Sequence, residues 1–165
     1  MLPTEAAYLA GLIDGEGTIS LRKVPQPKCK RGWNWRPTLQ VANTDEAMLH
    51  RISEITERGW EWCYHYYQGR KLRAGIWRTT GANDILCILS EVLPYLVTKK
   101  RHADLLIEAC KLILSLPKGK NIQGYESRFL SICPRLFSIH EKMLTLNKRG
   151  ERWRRAIDIG YKLEI

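Results

Sequence analysis

The chain has 165 residues and a formal net charge of +10, from 27 Lys and Arg against 17 Asp and Glu. This length suits one compact domain, and 44% hydrophobic residues can form a core, which excludes a wholly disordered chain. No run reaches the ~18 apolar residues of a membrane span, so we expect no membrane association, and the basic excess favours a polyanionic partner such as nucleic acid.

The first predicted element is a helix close to the start of the chain. Thr4 is expected as its N-cap, and Glu5 is favourable near the positive end of the helix dipole. The apolar pattern continues to Ile13. We expect the helix to stop at Gly15 or Gly17, because glycine readily ends helices.

Two strands follow, at residues 18–22 and 36–41, where apolar and polar residues alternate. Pro37 indicates that the second strand begins there or lies at a sheet edge. Residues 22–36 run from the end of the first strand to the start of the second. They contain no acid and six basic residues: Arg22, Lys23, Lys28, Lys30, Arg31 and Arg36. This pattern predicts a basic hairpin.

The remaining chain repeats the order of helix and two strands, and then adds helices. The predicted elements are a helix at 44–59, strands at 60–68 and 72–80 joined by a turn at 68–70, and helices at 83–92, 100–116 and 125–146. The last helix is expected to be interrupted or shifted at Pro134.

This order predicts an α+β fold in which helices back one face of a single antiparallel sheet. The other face carries the polar and basic residues. We expect one domain over 1–165, with a helical tail over about 119–165.

Residues 9–17 form the string Leu-Ala-Gly-Leu-Ile-Asp-Gly-Glu-Gly. Ala7, Ala10 and Gly11 place small residues on one face of the helix, so another backbone can approach closely. Gly11 costs up to ~1 kcal/mol in a helix interior, which indicates a packing reason for it. Glu16 lies just past the helix end, where the dipole disfavours a carboxylate, and a divalent cation would relieve that repulsion.

The string resembles the signature of the LAGLIDADG homing endonucleases, and the nearest likeness is to single-motif members encoded in algal chloroplast introns. Residues 41–44 are similar to the family's strand end, which places Asn43 near the metal. Residues 94–103 are similar to the segment that carries the active-site lysine, here Lys99.

The resemblance implies an αββαββα fold whose sheet forms a saddle on DNA. It implies Glu16, Asn43 and Lys99 as catalytic residues and Mg²⁺ as the cofactor, with Mn²⁺ or Ca²⁺ as other occupants. We expect Glu16 and Gly15 to hold the ion. The implied reaction is metal-assisted hydrolysis of both DNA strands across the minor groove, which leaves short 3′ overhangs.

The sequence contains one such motif and no second copy. A single Glu16 cannot act on both strands, whereas two copies related by a two-fold axis could share the central metals. We therefore expect a homodimer that binds a long, partly palindromic double-stranded DNA. Its interface is predicted at Ala7, Ala10, Gly11 and Asp14.

Alternation along the strands predicts which side chains meet DNA. Arg, Gln and Thr on a β-ribbon can contact base edges, and basic loop residues suit phosphates. The predicted DNA-binding residues are Ser20, Arg22, Gln26, Lys28, Lys30, Arg36, Thr38, Gln40, Tyr64, Tyr66, Gln68, Arg70, Arg73 and Arg78, and Arg31 is also expected to contact phosphate.

Two other functions stay open. One is a nucleic-acid-binding protein of the same fold that does not cleave, such as an RNA maturase or a DNA-binding regulator. The other is a basic interaction domain without catalysis. Glu16 together with Lys99 favours the enzyme, because a pure binder needs no carboxylate beside phosphates.

The five cysteines are odd in number and form no Cys-x-x-Cys pair. This argues against a disulfide framework or a structural zinc site, and favours a reducing intracellular compartment, either an organelle or a prokaryotic cytoplasm.

Overall fold

A computed structural model describes residues 1–27, 31–67, 70–117 and 124–146, without the side chains of 64–67 and 70–72. Within these residues, the chain forms five α-helices and one four-stranded antiparallel sheet, which confirms the predicted α+β class. The elements are α1 Pro3–Glu16, β1 Gly17–Pro25, β2 Trp33–Asn43, α2 Glu46–Thr56, β3 Trp60–Tyr67, β4 Arg70–Thr79, α3 Ala82–Val92, a 3₁₀ turn Leu93–Tyr95, α4 Lys100–Leu114 and α5 Tyr125–Leu146.

The strand order in the sheet is β1-β2-β4-β3, so each hairpin has one outer and one inner strand. β1 pairs with residues 33–41 of β2 along its whole length, from Gly17↔Val41 to Pro25↔Trp33. β4 joins β2 only over residues 39–43. β2 therefore has a neighbour on one side only at Pro37, which explains how proline lies inside a strand that begins at Trp33, three residues before the expected range of 36–41.

The core lies between the helices and one face of the sheet. Alternate residues of the strands point into it, and all five α-helices supply the other side. Burying one such side chain stabilises the fold by about 1.5–3 kcal/mol. Fully buried members include Leu9, Ile13, Leu39, Val41, Trp77, Leu89, Leu106 and Leu136.

Two helix ends differ from the sequence-based expectations. α1 begins at Pro3, so its N-cap is Leu2 and not Thr4. Proline suits the first helical position because it has no N–H to satisfy, and the Glu5 carboxylate accepts a hydrogen bond from the Leu2 N–H at 3.1 Å. α2 ends at Thr56, and Glu57 adopts the left-handed conformation with φ of 53°, where the sequence had suggested an end at Gly59.

The expectation that Pro134 interrupts the last helix is wrong. α5 runs without a break from Tyr125 to Leu146. A proline inside a helix removes one hydrogen bond, but α5 is held by buried side chains before and after it: Phe129, Cys133, Leu136, Ile139 and Met143.

None of the helices in the described part of the chain has the length and apolar character of a membrane-spanning segment. Cys87, Cys110 and Cys133 are free thiols, and the Cys63 Sγ donates to the Ala74 carbonyl at 3.2 Å. Burial raises the pKa of the Cys110 thiol to about 12, so it stays protonated at neutral pH.

Candidate nucleic-acid interface and metal site

The last glycine of the motif allows α1 to pass directly into β1. The Gly17 N–H donates to the Ile13 carbonyl, and a Cβ atom on Gly17 would lie 2.6 Å from that oxygen and 2.7 Å from the Ile13 Cα. Because both contacts are with backbone, a larger residue cannot fit without moving the helix end. Glu16 is consequently held as the last, exposed residue of α1.

Lys99 lies against the same end of α1. Its Nζ donates to the Ile13 carbonyl at 2.7 Å and to the Asp14 carbonyl at 2.9 Å. Carbonyl groups in the last helical turn lack intrahelical partners and form the negative end of the dipole. The ammonium group therefore caps α1, and the structure brings Lys99 to the helix end that carries Glu16.

The Asp14 side chain has a different role from the one that the sequence suggested. Its carboxylate accepts hydrogen bonds from the N–H groups of Val97 at 2.7 Å, Thr98 at 3.2 Å and Lys99 at 2.8 Å, and from the Thr98 hydroxyl at 2.9 Å. It thus joins α1 to the start of α4 within one chain, and its predicted place in the dimer interface stays a prediction.

Burial alone would raise the pKa of the Asp14 carboxyl group. The N–H donors of Val97, Lys99 and Thr98 and the Thr98 hydroxyl together outweigh burial and hold this pKa below its ordinary value. A signal in the sequence did exist, because a carboxylate in the last turn of a helix opposes the dipole unless donors surround it.

Asn43 is the last residue of β2, at the end of the sheet where α1 passes into β1. Val41 pairs with Gly17, so Asn43 lies two residues beyond the point where β1 begins. Its Oδ1 accepts from the Asp45 N–H at 2.9 Å, which makes Asn43 part of the turn into α2. Its proposed role with metal-bound water stays a prediction.

The donor types near Glu16 fit a hard divalent cation. The Glu16 carboxylate and the Gly15 carbonyl are oxygen ligands, which Mg²⁺ and Ca²⁺ prefer. Among the described residues, no three His, Cys, Asp or Glu side chains lie close enough together to hold a metal ion. The ligand chemistry therefore fits, but one chain contributes a single carboxylate.

One face of the sheet points away from the helices, and we call it the outward face. The strand register aligns its side chains in rows that start beside α1 and continue along the β1–β2 hairpin. The rows are Thr18 with Gln40 and Arg78, then Ser20 with Thr38, then Arg22 with Arg36. Arg22, Arg36 and Arg78 are exposed, while Ser20 and Gln40 are partly buried.

Arg22 and Arg36 face each other directly across the two strands. Neither side chain forms a hydrogen bond or an ion pair with any residue that the structure describes. Like charges at opposed positions destabilise a sheet, so this pair is suited to a polyanion that neutralises both.

Gln40 and Arg78 form a side-chain pair in the row nearest to α1. The Arg78 Nε donates to the Gln40 Oε1 at 3.1 Å. This bond directs the guanidinium and leaves its two terminal nitrogens as donors. The sequence placed both residues on the outward face but contained no sign that they would bond to each other.

Two predicted DNA contacts differ from the expectation, Thr38 in its exposure and Arg73 in its face of the sheet. Thr38 is only 1% exposed, so its side chain is not accessible as the alternation suggested. Arg73 shares by register the face of Gly75 and Trp77, which lies toward α2, and its guanidinium stacks 3.5 Å over the Trp62 ring. Arg73 and Arg78 therefore belong to opposite faces.

The basic hairpin loop is only partly described. Gln26 is exposed, and its N–H donates to the Gly32 carbonyl at 2.8 Å. Arg31 is not free for phosphate, because its guanidinium binds Glu126 on α5 and lies 3.6 Å over the Phe129 ring. Lys28, Lys30 and Gln68, and the side chains of Tyr64, Tyr66 and Arg70, lie outside the described residues.

The small residues of α1 do not all share one environment. Ala7 and Gly11 are exposed, and a Cβ atom on Gly11 would meet nothing within 4 Å. Ala10 is fully buried in the chain's own core, so its predicted place in a dimer interface is wrong. Helical periodicity alone did not show this difference, because residues 7, 10 and 11 lie close together around a helix of 3.6 residues per turn.

Comparison with known proteins defines the family. The sequence model of the LAGLIDADG endonucleases matches residues 9–108, which include the motif, the whole sheet and Lys99. The chain belongs to the LAGLIDADG endonuclease family. A search of curated proteins finds no match.

Solved structures show the same fold at low sequence identity. The homing endonuclease I-CvuI with its target and Ca matches at a TM-score of 0.70 and 18% identity, covering 90% of this chain and 85% of that chain. The archaeal intron-encoded I-Vdi141I with DNA gives 0.66 and 15%, covering 89% and 86%. I-LtrWI bound to target DNA gives 0.60 and 19%, covering 82% of this chain and 43% of that chain.

Proposed function

We propose that two copies of this chain bind a long, partly palindromic double-stranded DNA and cut both strands with the aid of a divalent cation. The observation that carries the proposal is the exposed Glu16 carboxylate at a helix end that Lys99 also contacts. Thr18, the first residue of the outward face, lies two residues from Glu16, so the acid adjoins the surface offered to DNA.

The spacing of the outward face suits a DNA groove. Its rows are two residues apart, which is about 7 Å along a strand and equals about two base-pair steps. The guanidinium groups of Arg22 and Arg36 stand in the row farthest from Glu16, and Gln40 and Arg78 in the nearest. Arginine donors are suited to guanine edges in the major groove.

Three features support a pair of copies. The chain contains one motif, and one Glu16 carboxylate is too few ligands for a cation. Ala7 and Gly11 leave an exposed, small-residue patch on α1. The chain covers less than half of I-LtrWI, which therefore has the length for a second unit of this size.

The residues at the helix end divide the chemistry. A bound Mg²⁺ or similar cation would activate water and offset charge on the leaving oxygen. The Glu16 carboxylate and the Gly15 carbonyl would hold that ion. The Lys99 ammonium would stabilise charge that develops on the phosphate, and the Asn43 amide would orient a water. The I-CvuI complexes were solved with Ca or with Mg, which supports this class of ion.

The direct test is cleavage of a randomised double-stranded DNA library with Mg²⁺ or with EDTA. We expect the wild type to enrich a partly palindromic cut site, and Glu16→Gln to lose about 100-fold or more in rate, as when a group that stabilises transition-state charge is removed. Glu141→Gln, an exposed acid on α5, is the matched control and should cleave normally. Equal cleavage by Glu16→Gln would contradict the metal-site assignment.

The same assay distinguishes the non-cleaving alternatives. Tight RNA binding without cleavage of any DNA site would favour a maturase. Specific DNA binding without cleavage would favour a regulator.

A further inference from the structure

Asp14 is the one charged residue of the motif that stands inside a dense hydrogen-bond network. Four donors reach its carboxylate, three of them consecutive backbone N–H groups from Val97 to Lys99. These N–H groups precede α4, where they have no intrahelical acceptor. The carboxylate therefore fixes the backbone of residues 97–99 relative to the end of α1.

The Lys99 side chain returns to the same helix turn. Its backbone N–H binds the Asp14 carboxylate while its Nζ binds the carbonyls of Ile13 and Asp14. Lys99 is thus held at both ends by α1. Because the carbonyls belong to the residues just before Gly15 and Glu16, this double attachment fixes the ammonium at the helix end that carries Glu16.

We infer that Asp14 is a positioning residue for Lys99: it clamps the 97–99 turn so that the ammonium is presented beside Glu16. The inference rests on the proposed nuclease function, and it adds a role within one chain for a motif residue that the sequence assigned to the dimer interface. Asp14 itself holds neither metal nor DNA in this account.

The main variant is Asp14→Asn, which keeps one acceptor oxygen and replaces the other with an N–H₂ group facing backbone N–H donors. We expect single-turnover cleavage of the selected target to fall by about 10- to 100-fold, the scale of a catalytic group displaced by about 1 Å. Affinity for the same DNA, measured in Ca²⁺, should change less than about threefold, because the outward face is untouched. Asp84→Asn, which removes a carboxylate paired with Arg58 far from this turn, is the matched control and should leave cleavage unchanged.

A double-mutant cycle separates positioning from general destabilisation. If Asp14 acts through Lys99, then Asp14→Asn should slow cleavage in the wild type but not in Lys99→Met. Multiplicative effects of the two substitutions would overturn the inference, as would normal cleavage by Asp14→Asn.

A milder variant and a direct readout cover the case in which Asp14→Asn does not fold. Thr98→Val removes only the hydroxyl donor. It should also slow cleavage when Lys99 is present, but not in the Lys99→Met background. Amide hydrogen exchange should show Val97 and Lys99 protected in the wild type and faster in the variants. Fast exchange of both amides in the wild type would refute the clamp even if no DNA is cleaved, whereas a wild type that cuts no DNA contradicts the proposed function.

Discussion

The end of α1 and the adjoining outward face carry side chains of opposite charge. Glu16 supplies an exposed carboxylate, and Lys99 supplies an ammonium that caps the same helix. Arg22 and Arg36 stand some residues away without a partner among the described residues. The cations of the sheet are thus available to a polyanion, while Lys99 is tied to the site of the acid.

The Gln40–Arg78 pair leads to a prediction about base preference. Because Gln40 holds the guanidinium of Arg78 at 3.1 Å, Gln40→Ala and Arg78→Ala should relax preference at the same target position, each by about 1–3 kcal/mol. Target selection with each variant measures this. Arg58→Ala, whose guanidinium pairs with Asp84, is the control and should keep the wild-type preference. Relaxation at two unrelated positions would contradict the pairing.

Sequence periodicity predicted several outward residues and failed at others for identifiable reasons. Alternation was reliable along β1 and in much of β2, where Arg22, Arg36 and Gln40 point outward. Alternation itself puts Arg73 and Arg78, five residues apart on β4, on opposite faces, so the outward placement of both could not hold. It could not reveal Asp14's contacts, because Val97–Lys99 lie more than 80 residues away.

The junction between α1 and β1 is the element on which the site depends. A Cβ atom on Gly17 would clash with the Ile13 backbone, whereas a Cβ atom on Gly11 would have open space around it. The motif glycines therefore have separate purposes. Gly17 positions Glu16, and Gly11 leaves the exposed face of α1 without a protruding side chain at that point.

This difference predicts opposite effects of alanine on stability. Gly17→Ala should lower the free energy of unfolding by about 1–3 kcal/mol through overpacking and should also impair cleavage. Gly11→Ala should raise the stability of the isolated chain by up to ~1 kcal/mol, from helix propensity alone. Urea unfolding measures both, and equal stability of the two variants would contradict the assigned contacts.

The order of elements was predictable, but the way they assemble was only partly so. Periods of 3.6 and 2 residues identified the helices and strands. The strand order β1-β2-β4-β3 was not accessible, because hairpin patterns do not specify which strands of two hairpins meet. α5 stayed whole at Pro134 because tertiary packing outweighs a local helix breaker.

The charge that contributes to the net +10 is unevenly distributed over the described part of the molecule. Unpaired guanidinium groups lie on the outward face, whereas those of Arg31 and Arg51 form ion pairs with Glu126 and Glu5. If two copies assemble through α1, two outward faces and two Glu16 carboxylates address one DNA. Affinity then comes from the cations and cleavage from a few residues at the centre.

Assembly through α1 predicts a specific sensitivity at Gly11. Gly11→Leu has room in one chain, because nothing lies within 4 Å of its Cβ position, but it should block close approach of a second α1. We expect a monomer by sedimentation at concentrations where the wild type is a dimer. Ser131→Leu, an exposed site on α5, should remain dimeric. A dimer of Gly11→Leu as tight as the wild type would place the interface elsewhere.

In the proposed mechanism, both strands are cut by a pair of chains with one Glu16 each. The most direct measurement uses differently tagged wild-type and Glu16→Gln chains, purified as the mixed pair and assayed on a supercoiled plasmid that carries the selected target. We expect wild-type pairs to linearise the plasmid in Mg²⁺ and mixed pairs to nick it or leave it intact. Linearisation by the mixed pair at the wild-type rate would show that one Glu16 is enough to cut both strands.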